Sequence, residues 1–196
     1  MPVAGLILAA GSGSRLGRPK ALVELGGERL VDRAVRVLRD GGCDPVVVVS
    51  GAAPFEVDGV AVFANPDWAT GMGSSLRVGL TALADSEAAA VVVSLVDQPD
   101  IGPDVVRRVI AAFDAGATVA TATYGGKRRN PVLLARGTWA EVARLAEGDA
   151  GARPYLAAHA DEVTAVECDD LGSPADIDTP DDLARARGEA SGPSAG

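Results

Sequence analysis

The residues Val3–Ala10 form one unbroken apolar run, VAGLILAA, that stops at Gly11-Ser12-Gly13. An alternating run would leave one face polar, whereas an unbroken one suits a strand covered on both faces of a parallel sheet. The pattern recurs at Val46–Val49, at Ala90–Val96 and, shorter, at Val60–Phe63 before Asn65-Pro66. Between these runs the period becomes helical. Apolar residues at 30, 31, 34, 35 and 38 predict a helix over Leu30–Leu38 that ends at Gly41-Gly42. Ser74–Ala84 reads as a second helix with Ser74 or Ser75 near its N-cap, and Pro103–Ala115 as a third with proline in its first turn. Then follow a strand at Ala117–Tyr124, a Gly125-Gly126 turn, a strand at Pro131–Ala135, helices at Thr138–Ala146 and Arg153–Ala158, a strand at Val163–Cys168 and a last helix capped by Thr179. Strand and helix alternating in this way predict an α/β fold with a mostly parallel sheet.

The 196 residues suit one domain, with no internal repeat and no linker. A single domain is expected over 1–187, followed by a small, polar, disordered tail at 188–196. The net charge of −9 is unevenly spread: residues 1–140 hold 14 basic and 14 acidic groups, and the remainder hold 4 and 13. With no dominant basic face, neither nucleic acid nor an acidic membrane surface is an expected partner. One histidine, His159, and two separated cysteines, Cys43 and Cys168, argue against a zinc site of the usual kind. The cysteines read as reduced thiols, with Cys43 in the core rather than acting as a nucleophile, and His159 reads as a surface or helix-end residue. No apolar run approaches the ~20 residues of a membrane helix, and the N-terminus lacks the basic region of a secretory signal. A cytoplasmic location is the expectation.

Chemistry concentrates at strand ends. The loop Gly11–Lys20 puts Arg15, Arg18 and Lys20 beside glycines that let backbone N–H groups approach a phosphate. Residues 1–39 carry seven basic and three acidic groups, a local excess suited to a triphosphate pocket. The dinucleotide fingerprint fails, because Leu16 stands where its third glycine is needed, and no P-loop string exists. Asp97 follows the apolar run Ala90–Val96 directly, so it sits at a carboxyl strand end where a carboxylate can hold Mg²⁺ against phosphate oxygens, or else form an Asx turn. Asp176 and Asp178 precede the Thr179 cap and serve two readings equally, metal ligand or helix entry. If that segment is extended, both carboxylates point to one side. Gly71–Arg77 opens a helix with donors for a base or sugar, or else only caps it, and Gly125–Asn130 is a basic turn, either a solvated hairpin tip or a clamp for a phosphorylated second substrate.

LAAGSGSRLGRPK (Leu8–Lys20) resembles the signature of the sugar-phosphate-type nucleotidyltransferases, and the chain is most similar to the molybdenum cofactor nucleotidyltransferases, the cytidylyltransferases in particular. The resemblance extends to about Arg187 through GMGSSLRVGL, VDQP, NPVLL, GDAGARPYL and DIDTPDDL. It implies a Rossmann-like three-layer nucleotidyltransferase fold and an activity of the EC 2.7.7 type. An NTP and a phosphorylated acceptor would give an NMP-acceptor and pyrophosphate. It further implies that Leu8, Ala9, Ala10, Gly11, Ser12 and Gly13 hold the nucleotide, that Gly73, Ser74 and Ser75 lie near base and ribose, and that Arg15 and Lys20 hold the triphosphate. Asp97 would bind Mg²⁺ with Asp178 and, less directly, Asp176. Ala10 points weakly to CTP. Lys127, Arg129 and Asn130 fall on the acceptor side, with a molybdoenzyme or its chaperone as a further partner. The cytidylyltransferases carry Gly-His-Pro where this chain has Arg129-Asn130-Pro131. Relatives with the Asn-Pro variant are named nicotine blue oxidoreductases, which implies NAD(P)H chemistry on the same scaffold. A non-catalytic nucleotide-binding module is the third alternative.

Overall fold

The computed structural model describes residues 1–188. In chain order the elements are β1 (Val3–Ala9), β2 (Glu24–Leu25), β3 (Glu28–Arg29), α1 (Leu30–Asp40), β4 (Val46–Ser50), β5 (Ala61–Ala64), α2 (Met72–Ala82), β6 (Ala90–Leu95), α3 (Pro103–Asp114), β7 (Val119–Tyr124), β8 (Lys127–Ala135), α4 (Trp139–Leu145), α5 (Arg153–Ala158), β9 (Val163–Glu167) and α6 (Pro180–Ala186). Seven strands make one sheet in the order β5-β4-β1-β6-β8-β7-β9, in which only β8 runs against the others. β2 and β3 form a separate small hairpin.

The unbroken apolar runs have the covering they require. Leu6 and Leu8 of β1 pack with Leu76, Leu80, Trp139 and Val142 from α2 and α4. Ile7 and Ala9, on the opposite face, pack with Val31, Val35, Leu38, Val105 and Val109 from α1 and α3. This is a three-layer α/β fold whose core is mostly Val, Leu, Ile and Ala, as the scarcity of aromatics requires.

Two expectations need correction. The second helix begins at Met72, two residues before the predicted start, and Gly71 is its N-cap with φ +113°. A side chain at Gly71 would overlap the backbone of Gly148, so close loop packing, not a serine cap, sets this helix start. The strand predicted at Pro131–Ala135 instead begins at Lys127, directly after the Gly125-Gly126 turn. Both glycines have positive φ, as a two-residue hairpin favours. The β7–β8 register shifts between Thr121, opposite Val132, and Ala122, opposite Arg129, so Asn130 and Pro131 are the extra residues. Proline has no N–H for the ladder, and such a bulge re-aims its neighbours. The hairpin β2–β3 leaves no trace in the sequence pattern, because its two-residue strands are too short to show a period. The Thr179 cap is present as a reciprocal box with Asp182. Of the tail expected at 188–196, residues 189–196 lie outside the described residues.

Candidate functional site

From β1 the chain moves through α1 to β4 on one side, and later through α2 to β6 on the other. The carboxyl ends of β1 and β6 therefore flank a topological switch point, where open α/β sheets bind ligands. Two adjoining cavities lie there, of about 470 and 540 Å³, sharing Met72, Leu95 and Asp149 at their boundary.

The smaller cavity is lined by Leu8, Ala10, Gly11, Ser12 and Ser75, with Arg15, Lys20 and Asp97. The other residues expected there have supporting places. Ala9 points into the core with α1 and α3, because strand side chains alternate. Gly13, with φ +61°, closes the loop: its carbonyl accepts from Leu16 N–H at 2.9 Å, and a side chain would overlap the Arg18 carbonyl. Gly73 lets the Ala146–Glu147 backbone lie against α2. The Ser74 hydroxyl donates to the Gly71 carbonyl at 2.8 Å.

Lys20 is the centre of the charge cluster. Its Nζ lies 2.5 Å from Asp97 Oδ2 and 2.5 Å from Asp178 Oδ1, while Arg15 Nη2 reaches Asp178 Oδ2 at 3.0 Å. Burial pulls the Lys20 ammonium down, but the two carboxylates outweigh it, and its pKa stands above the ordinary lysine value. The hydrogen bond from Lys20 holds the Asp178 carboxyl below its usual range. The Ile177 N–H donates to the Asp97 carbonyl at 2.9 Å, and its side chain is buried, so the 176–178 loop is pinned beside β6. The two carboxylates that flank Ile177 have different partners. Asp178 turns to Lys20, whereas Asp176 Oδ1 accepts from Gln98 Nε2 at 2.9 Å, and burial raises the Asp176 pKa.

The residues fit a hard divalent cation. Two carboxylate oxygens each 2.5 Å from one nitrogen are at most 5.0 Å apart. An ion at ~2.1 Å from each spans up to ~4.2 Å, within a small side-chain adjustment. Among the described residues no group of three or more His, Cys, Asp or Glu side chains could hold a metal. Ligands beyond this carboxylate pair would therefore come from substrate oxygens and water, as is usual for Mg²⁺.

The larger cavity is lined by Arg129 and Asn130, brought in by the β8 bulge, together with Arg128, Arg153, Gln98 and Asp176 over an apolar floor including Leu95, Val132 and Leu156. Lys127, expected on this side, does not line it; it pairs with Tyr124 beside the exposed hairpin turn. Arg128 belongs to the basic turn Gly125–Asn130, whereas Arg153 carries no signal in the sequence, because its approach to that turn depends on β8 lying near α5. Arg128 donates to the Leu156 and Ala160 carbonyls and Arg153 to those of Asp149 and Ala150, and neither forms an ion pair among the described residues. Asn65 was read only as the end of a strand, yet it is buried against Ser74 and Ser75.

The remaining reactive side chains lie elsewhere. Burial pushes the Cys43 thiol up to about 12, which leaves no thiolate for nucleophilic work. His159 closes α5 between Glu141 and Glu162. No helix among the described residues is long and apolar enough to cross a membrane.

Comparison with known proteins agrees with this geometry. Residues 5–163 match the family described as MobA-like NTP transferase domain. The chain is 34% identical to the nicotine blue oxidoreductase of Paenarthrobacter nicotinovorans, over 93% of this chain and 95% of that protein. It is 32% identical to the molybdenum cofactor guanylyltransferase of Rhodobacter capsulatus, over 95% of each. The crystal structure of Rv0371c from Mycobacterium tuberculosis H37Rv in complex with manganese superimposes with a TM-score of 0.77 at 28% identity, covering 97% of this chain and all of that one. The fold, the switch-point cavities and the sequence match converge: the chain belongs to the MobA-like NTP transferase domain family, and with it to the nucleotidyltransferases.

Proposed function

We propose that this protein is a Mg²⁺-dependent nucleotidyltransferase that moves CMP from CTP to a small phosphorylated acceptor of the molybdopterin type and releases pyrophosphate. The observation that carries this reading is the Lys20–Asp97–Asp178 cluster at the carboxyl end of β6, beside one cavity rich in glycine and hydroxyl groups and a second lined by arginines. In it the nucleotide occupies the smaller cavity, its triphosphate against the Gly11–Ser12 backbone, Arg15 and Lys20. The acceptor enters the larger cavity between Arg128, Arg129 and Arg153, with its phosphate toward the Leu95–Asp149 boundary. One of that phosphate's oxygens attacks the α-phosphorus in line, the bond to the β-phosphate bridging oxygen breaks, and the electron pair leaves with pyrophosphate.

Lys20 and Arg15 offset negative charge on the transferring group and the leaving group. Asp97 and Asp178 would hold the metal, which supplies further charge neutralisation on the phosphate oxygens. Asp176, hydrogen-bonded to Gln98, holds the loop that carries Asp178. The reaction needs no protein nucleophile, in keeping with the burial of Cys43. The manganese complex of the Mycobacterium tuberculosis protein supports a divalent ion in this fold. A cytoplasmic setting, where NTPs are available, and hand-over of product to a molybdoenzyme or its chaperone complete the proposal.

The name of the Paenarthrobacter nicotinovorans relative favours a second reading, NAD(P)H-dependent reduction. Asn130, in place of the histidine of the cytidylyltransferases, fits a different second substrate under either reading. Thermal melting separates the two, because a ligand that binds only the native state raises Tm. Mg²⁺ with CTP should raise Tm more than CTP with EDTA, with GTP compared in parallel because of the guanylyltransferase relative. Pyrophosphate release with candidate acceptors then tests turnover. No shift with any NTP at millimolar concentration would remove the transferase proposal, and a shift with NADPH alone would put the reductase in its place.

A further inference from the structure

Asn65 is 2% exposed, and its side-chain orientation is fixed by its neighbours. Its Oδ1 accepts from the Asp67 backbone N–H at 3.0 Å, a group that can only donate. The other end of the amide is therefore the NH₂ group, and it donates to both Ser74 Oγ at 2.8 Å and Ser75 Oγ at 2.9 Å. Each serine hydroxyl thus acts as an acceptor toward Asn65 and keeps one proton to give. Ser74 gives its proton to the Gly71 or Asp67 carbonyl, at 2.8 and 3.1 Å. The Ser75 hydroxyl has no acceptor among the described residues, although Ser75 is 98% buried and lines the smaller cavity. A buried hydroxyl proton without a partner costs free energy that a bound ligand can recover.

We infer that Asn65 is a positioning residue that sets the Ser75 hydroxyl as a hydrogen-bond donor into the smaller cavity, where it reads an acceptor oxygen or nitrogen on the nucleoside part of the nucleotide. The inference rests on the proposed nucleotide site and adds the polarity of one contact. Ser75 lines this cavity with Trp68, Gly71 and Met72, which carry no charge to hold a phosphate, whereas the proposed function gives the triphosphate to the basic groups Arg15 and Lys20. Asn65 touches no ligand; its backbone N–H is tied to Ser50 at the end of β4 and its amide to the start of α2, so it transmits the position of the sheet to Ser75.

The test is a double-mutant cycle on nucleotide binding at pH 8 in the presence of Mg²⁺, with CTP and GTP as probes and inorganic tripolyphosphate as the probe lacking a nucleoside. Asn65→Asp keeps the shape but presents a carboxylate, which accepts the Ser75 proton and turns the donor away from the cavity. Ser75→Ala removes the donor directly and does not depend on the folding of the buried-aspartate variant. Each single change should weaken binding of the better NTP about tenfold. The double variant should lose no more than Ser75→Ala alone, and tripolyphosphate affinity should stay at the wild-type value in all three. Wild-type affinity in Ser75→Ala, multiplying losses in the double variant, or an equal loss of tripolyphosphate binding would each overturn the inference while leaving the proposed function standing. Failure of the wild-type protein to bind any NTP would remove both.

Discussion

Lys20 Nζ donates to Asp97 Oδ2 at 2.5 Å, although 77 positions separate the two residues in the chain. The contact exists because the first loop folds back over the end of β1 and because β6 lies next to β1 in the sheet. It places an ammonium between two carboxylates, Asp97 and Asp178, each about five-sixths or two-thirds removed from solvent at the side chain.

Removing either partner of that contact should cost turnover more than stability. Asp97→Asn keeps the size of the side chain and loses the charge that would hold the metal, and kcat should fall by at least about two orders of magnitude. Lys20→Met removes charge stabilisation from the leaving group and should lower kcat/KM by about 100-fold or more. Steady-state pyrophosphate release with circular dichroism as the fold control checks both. An Asp97→Asn enzyme within threefold of wild type would show that the carboxylate only shapes the strand exit.

The two acidic residues before α6 should separate cleanly. Asp178 shares Lys20 with Asp97, whereas Asp176 is hydrogen-bonded to Gln98 on the side of the larger cavity. Asp178→Ala should therefore raise the Mg²⁺ concentration for half-maximal activity far more than Asp176→Ala. A metal titration of both variants measures this, and the reverse order contradicts the assignment of Asp178.

Gly13 and Gly17 both have positive φ, but only Gly13 is crowded by the Arg18 carbonyl. Gly17→Ala should cost only the left-handed backbone strain, about 1–2 kcal/mol. Gly13→Ala must also reopen the loop that carries Arg15 and Lys20. The Tm rise with Mg²⁺ and CTP should survive in Gly17→Ala and be lost in Gly13→Ala; equal rises in both would show that the loop geometry does not matter for binding.

His159 predicts a pH dependence of stability away from the site. Its hydrogen bond to Glu162, with Glu141 adding to it, holds the imidazole above its usual value of ~6.5. Arg144 pairs with Glu141 on the neighbouring helix, and the Tyr155 ring stacks on the imidazole at 4.3 Å. A raised folded-state pKa means that the stabilisation is fully present below the unfolded value and is lost as pH rises through the folded one. The Tm difference between wild type and His159→Gln should be larger at pH 5.5 than at pH 8.5. A difference that grows with pH would reverse the sign of the effect.

The sequence by itself determined the layers. Unbroken apolar runs at Val3–Ala10 and Ala90–Val96 need cover on both faces, and the helical periods between them provide it, so the α/β sandwich and the position of Asp97 at a strand end were legible from local pattern. The reciprocal Thr179–Asp182 cap was legible for the same reason, since all its atoms lie within one turn. Tertiary structure alone decided the rest. Whether Asp176 or Asp178 meets Lys20 depends on Ile177 anchoring a loop to β6, a contact between segments 80 positions apart that no local period encodes. Arg128 and Arg153 share a cavity only because the β8 bulge and α5 are packed at one end of the sheet, and Lys127 is left out because it sits at the hairpin turn, paired with Tyr124. Asn65 is ordinary in sequence and becomes a fixed amide donor only when β5 ends beside the start of α2. Side-chain type and local period fix which elements form; the hydrogen-bond partners of a buried polar group are fixed by which distant elements close around it.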